Sequence, residues 1–500
     1  MSERNWSEQQ SAIFSWFKSG SGNLVVRARA GTGKTTTIVE GSQRATESRI
    51  LLAAFNKAIA TELQSRIKGD KVKAKTLHGL GCAYVMRLWG KVEIDGDGER
   101  ARMLTDEALK EANTDAPFEV KRMINQIHTK MREICPRYLD HENALGIMAR
   151  FDLMPDDQLE EDGWESYRIA ELACAAAEAA KIRTATIDFA DMIFLPIVHK
   201  AIIPWYDMVI VDEAQDMTMP QLEIATGACK RSGRIVIVGD DRQAIYGFRG
   251  ADSGSLDRLK DKLHAVELGL TTTYRCPKRI VAIAARIVPD FKAAPTAPDG
   301  LVDRCDDDKM RAQAQPGDFI LSRLNAPLVP ICMSLLKMGK RATIKGRDIG
   351  KGITALINKL HASDLADLAV KLDEWYKREV QRAKGLSEDA AANRIGCVSD
   401  QRAVCTALME SCKDIPELRT KLDELFADNT GDAIVCSTTH RAKGLEADTV
   451  WLLEGTYRGQ TEGEEANLKY VAITRAKKRL VWVSGFGNGK AAPPAEKTLS

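Results

Sequence analysis

Apolar positions alternate along this chain between short uninterrupted runs and helical spacing. "NLVV", just ahead of a glycine-rich segment, and "ILLAAFN" beyond it have strand length, while "KAIATELQSRI" repeats its apolar residues at i, i+3 and i+4. Residues 80–180 are then helical in pattern, as in "DEALKEAN" and "EVKRMINQIHTKMREI", and alanine-rich "YRIAELACAAAEAAKI" is helical by propensity. Strands return in "WYDMVIVDEAQD" and "GRIVIVGDDRQAIYG", apolar runs that finish in polar residues. Strands of a parallel sheet present their chemistry in this way, at their carboxyl ends. "PDFKAAPTAPDG", residues 289–300, reads as a linker, "GDFILSRLN" as a strand, and residues 346–428 as helices again. A last α/β region holds "DAIVCSTTH", "DTVWLL" and "RLVWVSG", and the tail "GNGKAAPPAEKTLS" is expected to be disordered. The pattern predicts two α/β cores, each interrupted by a mainly helical insertion, with a phosphate loop in the first core alone.

Composition narrows this picture. A chain of 500 residues exceeds one ordinary core, so two to four domains are expected, and 44% hydrophobic with 28% charged residues is a globular profile. Net charge is only +2, so a nucleic-acid partner has to be recognised by local features. The 11 cysteines are scattered without a CxxC pair and away from the seven histidines. That pattern predicts free thiols in a reducing compartment and no zinc or iron–sulfur site. The start "MSERNWSEQQ" does not read as a signal peptide, and no apolar run is long enough to span a membrane.

Four pieces carry candidate chemistry. In "ARAGTGKTT", Gly31 and Gly33 let the backbone wrap phosphate oxygens, Lys34 offers a cation to the terminal phosphates, and Thr35 offers a hydroxyl to Mg²⁺. Ala28 replaces the usual outermost glycine, and Arg29 stands inside the loop, where its long side chain is expected to point outward. In "VIVDEAQD", Asp212 ends a strand and suits a metal, while the adjacent Glu213 can diverge from it toward the attacking water. In "VGDDRQAIYGFRG", Gln243 suits γ-phosphate sensing or water orientation, Asp240 and Asp241 fix the turn, and Tyr246 and Phe248 beside Arg249 suit stacking on bases. Arg275 in "TTTYRCP" and Arg475 in "YVAITRAK" belong to the second core and could stabilise charge on a transferring γ-phosphoryl group, or simply bind carboxylates of their own domain.

The ordered set "WSEQQSAI", "ARAGTGKTT", "AAFNKAIA", "KTLHG", "TIDFADMI", "VIVDEAQD", "IVGDDRQAIYGFRGA", "TTTYRCP", "LSRLN", "STTHRAKGLE" and "YVAITRAK" resembles superfamily 1 DNA helicases of the UvrD/Rep type, including F-box and phage relatives. The resemblance implies two RecA-like P-loop NTPase domains. Domain 1A would take residues 1–79 and 181–252, insertion 1B residues 80–180, domain 2A residues 253–345 and 429–485, and a small insertion 2B residues 346–428, with 486–500 as the tail. It implies ATP and Mg²⁺ held at the loop Ala30, Gly31, Thr32, Gly33, Lys34, Thr35 and Thr36, between the RecA-like domains. Gln9 would recognise adenine, Tyr274 would stack on it and Glu446 would touch the ribose. Thr35 and Asp212 would serve the metal, Glu213 the water, and Gln243, Arg275 and Arg475 the γ-phosphate. Phe55, Asn56, His78, Tyr246, Phe248, Arg249, His440 and Arg441 would face single-stranded DNA.

The implied activity is an ATP-dependent DNA helicase acting on single strands and single-strand/duplex junctions, with 3′→5′ movement. A monomer in the cytoplasm is expected, with unidentified loading, repair or replication proteins as possible partners and no membrane. The same motifs also serve a translocase that displaces proteins with little unwinding. A non-catalytic DNA-binding scaffold and a metabolic P-loop kinase are readings of other classes.

Overall fold

The computed structural model describes residues 5–135, 137–151, 153–245, 255–383, 388–426, 432–457 and 463–485. Tyr246, Phe248, Arg249 and the tail 486–500 lie outside the described residues. The chain forms two compact units, one made of Met1–Arg29 with Gly33–Leu270, the other of Ala30–Thr32 with Thr271–Ser500. Each is an α/β layer structure built on a six-stranded, wholly parallel sheet, consistent with tandem RecA-like cores.

In the first unit the strand order is Val72–Thr76, Ile50–Ala54, Tyr206–Val211, Cys229–Gly239, Leu24–Ala28, Val266–Leu270. Side-chain period 2 splits the apolar runs between two faces. Val25, Leu51, Val209 and Ile237 pack under Leu80, Tyr84 and Ile193, whereas Leu24, Val26, Leu52, Ile210 and Val238 pack under Ile13, Phe17 and Ile38. Burial on both faces explains why these strands read as continuous apolar runs. The register sets Arg27 opposite Gly239 and Val211 opposite Ile237, so the loops after three neighbouring strands leave from one edge of the sheet.

The first helical insertion packs around one cluster that also takes in Ile187, Met192, Phe194 and Leu195 from the segment that follows it. Leu104, Val120, Ile124, Ile127, Ile147 and Ala173 bury one another across the helices Glu99–Glu111, Phe118–Ile134, His141–Phe151 and Ser166–Ala179. It is pinned to the α/β part by buried charge. Arg100 Nε donates to Asp191 Oδ2 at 2.8 Å, and Arg132 donates to Asp191 Oδ1 at 2.6 Å and to Asp188 at 2.7 and 2.9 Å. Asp188 caps the helix Phe189–Val198, and Asp191 closes the capping box. Beside this lattice His128 is fully buried, with Nε2 3.2 Å from the carbonyl of Ala101. Burial, and then the Arg132 charge, push its pKa down to about 3.

The second unit orders its strands Leu301–Cys305, Ala476–Val483, Ala447–Leu453, Phe319–Ser322, Ile434–Thr438, Ala342–Ile344. Its helical segment differs from the first insertion in having no core apart from the sheet. Ile353, Leu368, Trp375, Val404, Leu418 and Leu422 from the helices Arg347–Lys359, Leu365–Ala383, Glu388–Met409 and Ile415–Leu425 share one cluster with the sheet residues Ile320, Ile344, Ile434 and Trp451. Asp400 fixes the join by accepting from the backbone N–H groups of Asn325 at 3.0 Å and Ala326 at 2.8 Å. Among the described residues no helix is long and apolar enough to cross a membrane, and no cluster of His, Cys, Asp and Glu could hold a metal ion. None of the 11 cysteines forms a disulfide.

His128 gives this architecture a pH signature. Its folded pKa lies below the ordinary histidine value, so the folded state resists protonation while the unfolded chain accepts it. The stability that depends on the neutral ring is complete above pH about 6.5 and is lost as pH falls toward 3. His128→Gln, which keeps a donor for Ala101, should flatten the acid slope of urea unfolding over that window by about 1.4 kcal/mol per pH unit.

Candidate functional site

The strand Leu24–Ala28 ends at the glycine-rich loop, and the helix Lys34–Arg44 begins where the loop closes. Gly31 and Gly33 have φ of 68° and 77°, the left-handed region that a side chain disfavours, which is the turn the sequence anticipates. No side chain caps this helix, so its first amides are directed to whatever occupies the loop. Thr32 is buried, and Thr35 and Thr36 are partly exposed. Gln10 approaches the loop from the N-terminal helix, its Nε2 donating to Thr37 Oγ1 at 3.0 Å. Gln9, the glutamine the resemblance selects, is half-buried beside it. The capping box between Ser7 and Gln10 sets the helix entry.

Lys34 faces the two carboxylates of the neighbouring strand end. Its Nζ lies 2.5 Å from Glu213 Oε1 and 3.7 Å from Asp212 Oδ1. The two acids therefore converge on one ammonium in this structure rather than diverge as the sequence suggests. Asp212 is 2% exposed, and Glu213 takes φ 52°, ψ 40°, with its N–H donating to Asp212 Oδ1 at 2.9 Å. Burial pushes the Asp212 carboxyl up to about 6, against the pull of Lys34. Burial alone would lower Lys34, but the Glu213 and Asp212 charges outweigh it and hold the ammonium well above the usual lysine range. The Asp212 carboxylate and the Thr35 hydroxyl are hard-oxygen donors of the kind Mg²⁺ takes, and the uncapped helix start suits phosphate, so these residues fit a magnesium–nucleotide complex.

From Glu213 a chain of hydrogen bonds runs to the next strand. Gln215 Nε2 donates to Glu213 Oε2 at 2.6 Å, and Gln215 Oε1 accepts the Asp240 N–H at 3.1 Å. A Cβ on Gly239 would lie 2.5 Å from Gln215 Oε1, so a larger residue there would push the Gln215 side chain out of this arrangement. Gln243 Nε2 donates to Asp240 Oδ2 at 2.7 Å, and the N–H of Arg242 reaches Asp240 Oδ1 at 3.1 Å, which is the turn-fixing role expected of that acid.

Arg29 corrects the sequence reading. It does not point outward. It is buried, with Nη1 2.9 Å from Asp240 Oδ1 and 2.7 Å from Asp241 Oδ1. The reason is electrostatic: two carboxylates at the end of an adjacent parallel strand need a cation, and a guanidinium can serve both. Arg27 adds a second pair to Asp241 at 2.9 Å. Burial would raise both acids. Asp240 stays raised, whereas Arg29 and Arg27 together hold Asp241 below the ordinary carboxylate value. Arg29 and Gln215 are the site residues that sequence reasoning missed. Their signal was a lone arginine in a small-residue loop and a glutamine between two acids.

In the second unit Arg275 Nε pairs with Glu446 Oε2 at 2.6 Å, within its own unit. Arg475 is 1% exposed and donates only to neutral acceptors among the described residues: the carbonyls of Val471 at 2.9 Å and Leu445 at 3.1 Å, and Thr474 Oγ1 at 3.1 Å. Burial, then the Arg275 charge, push its pKa down to about 10. Tyr274 is 55% exposed.

The expected DNA-facing residues are scattered over loop ends. Phe55 packs partly on the first core, and Asn56 caps the helix Lys57–Arg66 by accepting the Ile59 N–H at 2.9 Å. His78 is half-buried and edge-on to Phe189, which is 57% exposed. Burial lowers the pKa of His78. In the second unit, His440 and Arg441 occupy the short helix Thr439–Ala442.

Comparison with known families agrees with this geometry. A family described as the UvrD/REP helicase N-terminal domain matches residues 6–264, and the UvrD-like helicase C-terminal domain matches residues 363–485. The chain is similar to F-box DNA helicase protein 1 of Schizosaccharomyces pombe, 25% identical, with 92% of this chain and 55% of that protein covered. It is similar to F-box DNA helicase 1 of Gallus gallus, 25% identical, covering 91% and 47% respectively. A probable DNA helicase II homolog of Mycoplasma pneumoniae is 27% identical, over 58% of this chain and 43% of that protein. The chain spans about half the length of these curated relatives.

Gln215 supplies a direct check on the network. Gln215→Leu strips partners from Glu213 Oε2 and from the buried Asp240 N–H at nearly constant volume. It should cost about 2–3 kcal/mol in urea unfolding, the penalty for buried polar groups left unpaired.

Proposed function

The chain belongs to the UvrD/REP helicase family, and from that premise we propose that it is a DNA-stimulated ATPase that moves on single-stranded DNA and separates duplex strands in the 3′→5′ direction. The observation that carries the reading is the meeting of Lys34, Asp212 and Glu213 on one sheet edge, joined by hydrogen bonds to Gln243.

The site suggests its own order of events. Lys34 neutralises Glu213 at 2.5 Å before nucleotide arrives. Triphosphate oxygens are the stronger partner for that ammonium, so binding draws Lys34 away and releases Glu213 to accept a proton from water. Mg²⁺, held by Thr35 and Asp212, would supply charge neutralisation at the phosphate oxygens. Gln243 positions the water or the terminal phosphate oxygen. Arg475 is a buried cation bonded to neutral oxygens, so an anion in its reach gains its full attraction, and with Arg275 it meets the charge that develops on the γ-phosphoryl group. Gln9 and Gln10 bracket the adenine end, and exposed Tyr274 offers a stacking face. Phe55, Asn56, His78, His440 and Arg441 hold the single strand, with Tyr246, Phe248 and Arg249 contributing stacking and phosphate contacts.

One observation favours a second reading. The helical segment 346–428 shares its core with the sheet of its unit, which leaves less of it to act as an independent arm on a duplex. A translocase that displaces bound proteins with little unwinding fits that economy.

One experiment tests both. ATP consumption is recorded with duplexes carrying a 3′ or a 5′ single-stranded tail, with and without a protein roadblock. The expected result is hydrolysis strongly stimulated by single-stranded DNA and unwinding from the 3′ tail only. Roadblock removal without unwinding selects the second reading, and hydrolysis indifferent to DNA rejects both. Arg475→Ala should lower kcat by about 10³-fold while leaving nucleotide binding nearly unchanged.

A further inference from the structure

We infer that Tyr457 is a positioning residue of the single-strand site: its phenol hydroxyl holds Thr439, and through Thr439 the short helix that carries His440 and Arg441. The inference rests on the reading above, which gives those two residues to DNA.

The register brings the parts together. Leu321 lies opposite Ser437 on one side and Leu452 on the other, so the strands Phe319–Ser322, Ile434–Thr438 and Ala447–Leu453 are neighbours. All three are parallel, so the segments that follow them leave from the carboxyl edge of one sheet. After Ile434–Thr438 comes the helix Thr439–Ala442. After Ala447–Leu453 comes the tight turn Glu454–Thr456, with Tyr457 next.

The helix Thr439–Ala442 cannot hold its own place. It has four residues and no side chain caps its start, and so short a helix does not repay the entropy of ordering it. Its position is set by what its inward residues touch. Ala442 is buried in an apolar cluster of this unit. Thr439 is fully buried, and its hydroxyl lies 2.6 Å from the Tyr457 hydroxyl. Its other hydroxyl contact among the described residues is longer, 3.5 Å to the Ser322 carbonyl. Burial keeps the Tyr457 phenol protonated, well above the usual tyrosine range, so the link joins two neutral hydroxyls.

The Tyr457 end of the link is itself anchored. Thr456 Oγ1 accepts the Arg323 N–H at 3.0 Å and donates to the Leu453 carbonyl at 2.8 Å. Arg304 donates to both carboxylate oxygens of Glu454, at 2.5 and 3.0 Å. The ring of Tyr457 packs in the same apolar cluster as Ala442. A well-held turn thus offers one hydroxyl to a helix without a side-chain cap. Without the phenol oxygen, the buried Thr439 hydroxyl keeps only its long contact and turns toward it. The backbone that carries His440 and Arg441 shifts with it.

The test is a kinetic split. ATP hydrolysis is titrated with single-stranded oligothymidine for the parent, Tyr457→Phe, Thr439→Val and the double variant, and melting temperature is recorded for each. Tyr457→Phe should raise the half-saturating DNA concentration about 5- to 10-fold, the effect of one hydrogen bond, with kcat at saturating DNA within about twofold of the parent. Hydrolysis without DNA should be unchanged. Thr439→Val should behave alike, and the double variant should be no worse than the weaker single variant, since both remove one bond. Thr439→Ser, which keeps a hydroxyl, should stay close to the parent. Tyr376→Phe removes another phenol oxygen of the same unit, one that accepts from Ser399 at 3.3 Å, and should leave the DNA titration unchanged. An unchanged titration in Tyr457→Phe, additive effects in the double variant, or an equal rise in Tyr376→Phe overturns the inference. His440→Ala separates it from the reading beneath. If His440→Ala raises the half-saturating concentration and Tyr457→Phe does not, the inference alone fails. If His440→Ala changes nothing, the assignment of this helix to DNA fails and takes the inference with it.

Discussion

Desolvated charge at the carboxyl edge of a parallel sheet is the constraint from which the first unit's chemistry follows. The strand Tyr206–Val211 delivers Asp212, and its neighbour Cys229–Gly239 delivers Asp240, each at most 2% exposed. A carboxylate in that position has to find a cation, accept enough hydrogen bonds, or protonate. The loop after Leu24–Ala28 answers both needs, with Lys34 toward Asp212 and Glu213 and Arg29 toward Asp240 and Asp241. The same residues that would handle a triphosphate are thereby the ones that make these buried carboxylates tolerable. A site built in this way is poised because its cations already have anionic partners and are exchanged between anions rather than created.

The second unit presents the complementary problem. Arg475 is buried among carbonyl and hydroxyl oxygens and pressed by Arg275, so its charge is hydrogen-bonded without being neutralised.

Much of this was legible in the sequence because parallel sheets write a strong signal. Apolar runs ending in acids located the strands before Asp212 and Asp240, and left-handed Gly31 and Gly33 followed from the loop motif. The helical character of 80–180 and 346–428 followed from spacing. What stayed hidden depends on register. That Arg29 turns inward could not be read locally, because its partners lie more than two hundred residues away and become neighbours only through the pairing of Leu24–Ala28 with Cys229–Gly239. Gln215 was obscured for the same reason, its carbonyl being used by the next strand. Periodicity also could not tell an insertion that packs against a helix from one that borrows a sheet, since both bury one helical face.

That last distinction has mechanical content. The first insertion shares its core with Met192, Phe194 and Leu195 of the helix Phe189–Val198 and is joined to the same helix by Arg100 and Arg132 on Asp188 and Asp191. Buried ion pairs tolerate little displacement, because breaking one leaves an uncompensated charge in a dry environment at a cost of about 3–5 kcal/mol. The helix that carries Asp191 begins at Phe189, whose ring meets His78. In the second unit rigidity comes by another route, through one shared apolar core and the Asp400 hydrogen bonds to the loop after Phe319–Ser322. Two insertions with similar sequence patterns are thus attached differently, one through an apolar helix contact reinforced by buried ion pairs, the other through a core continuous with the sheet.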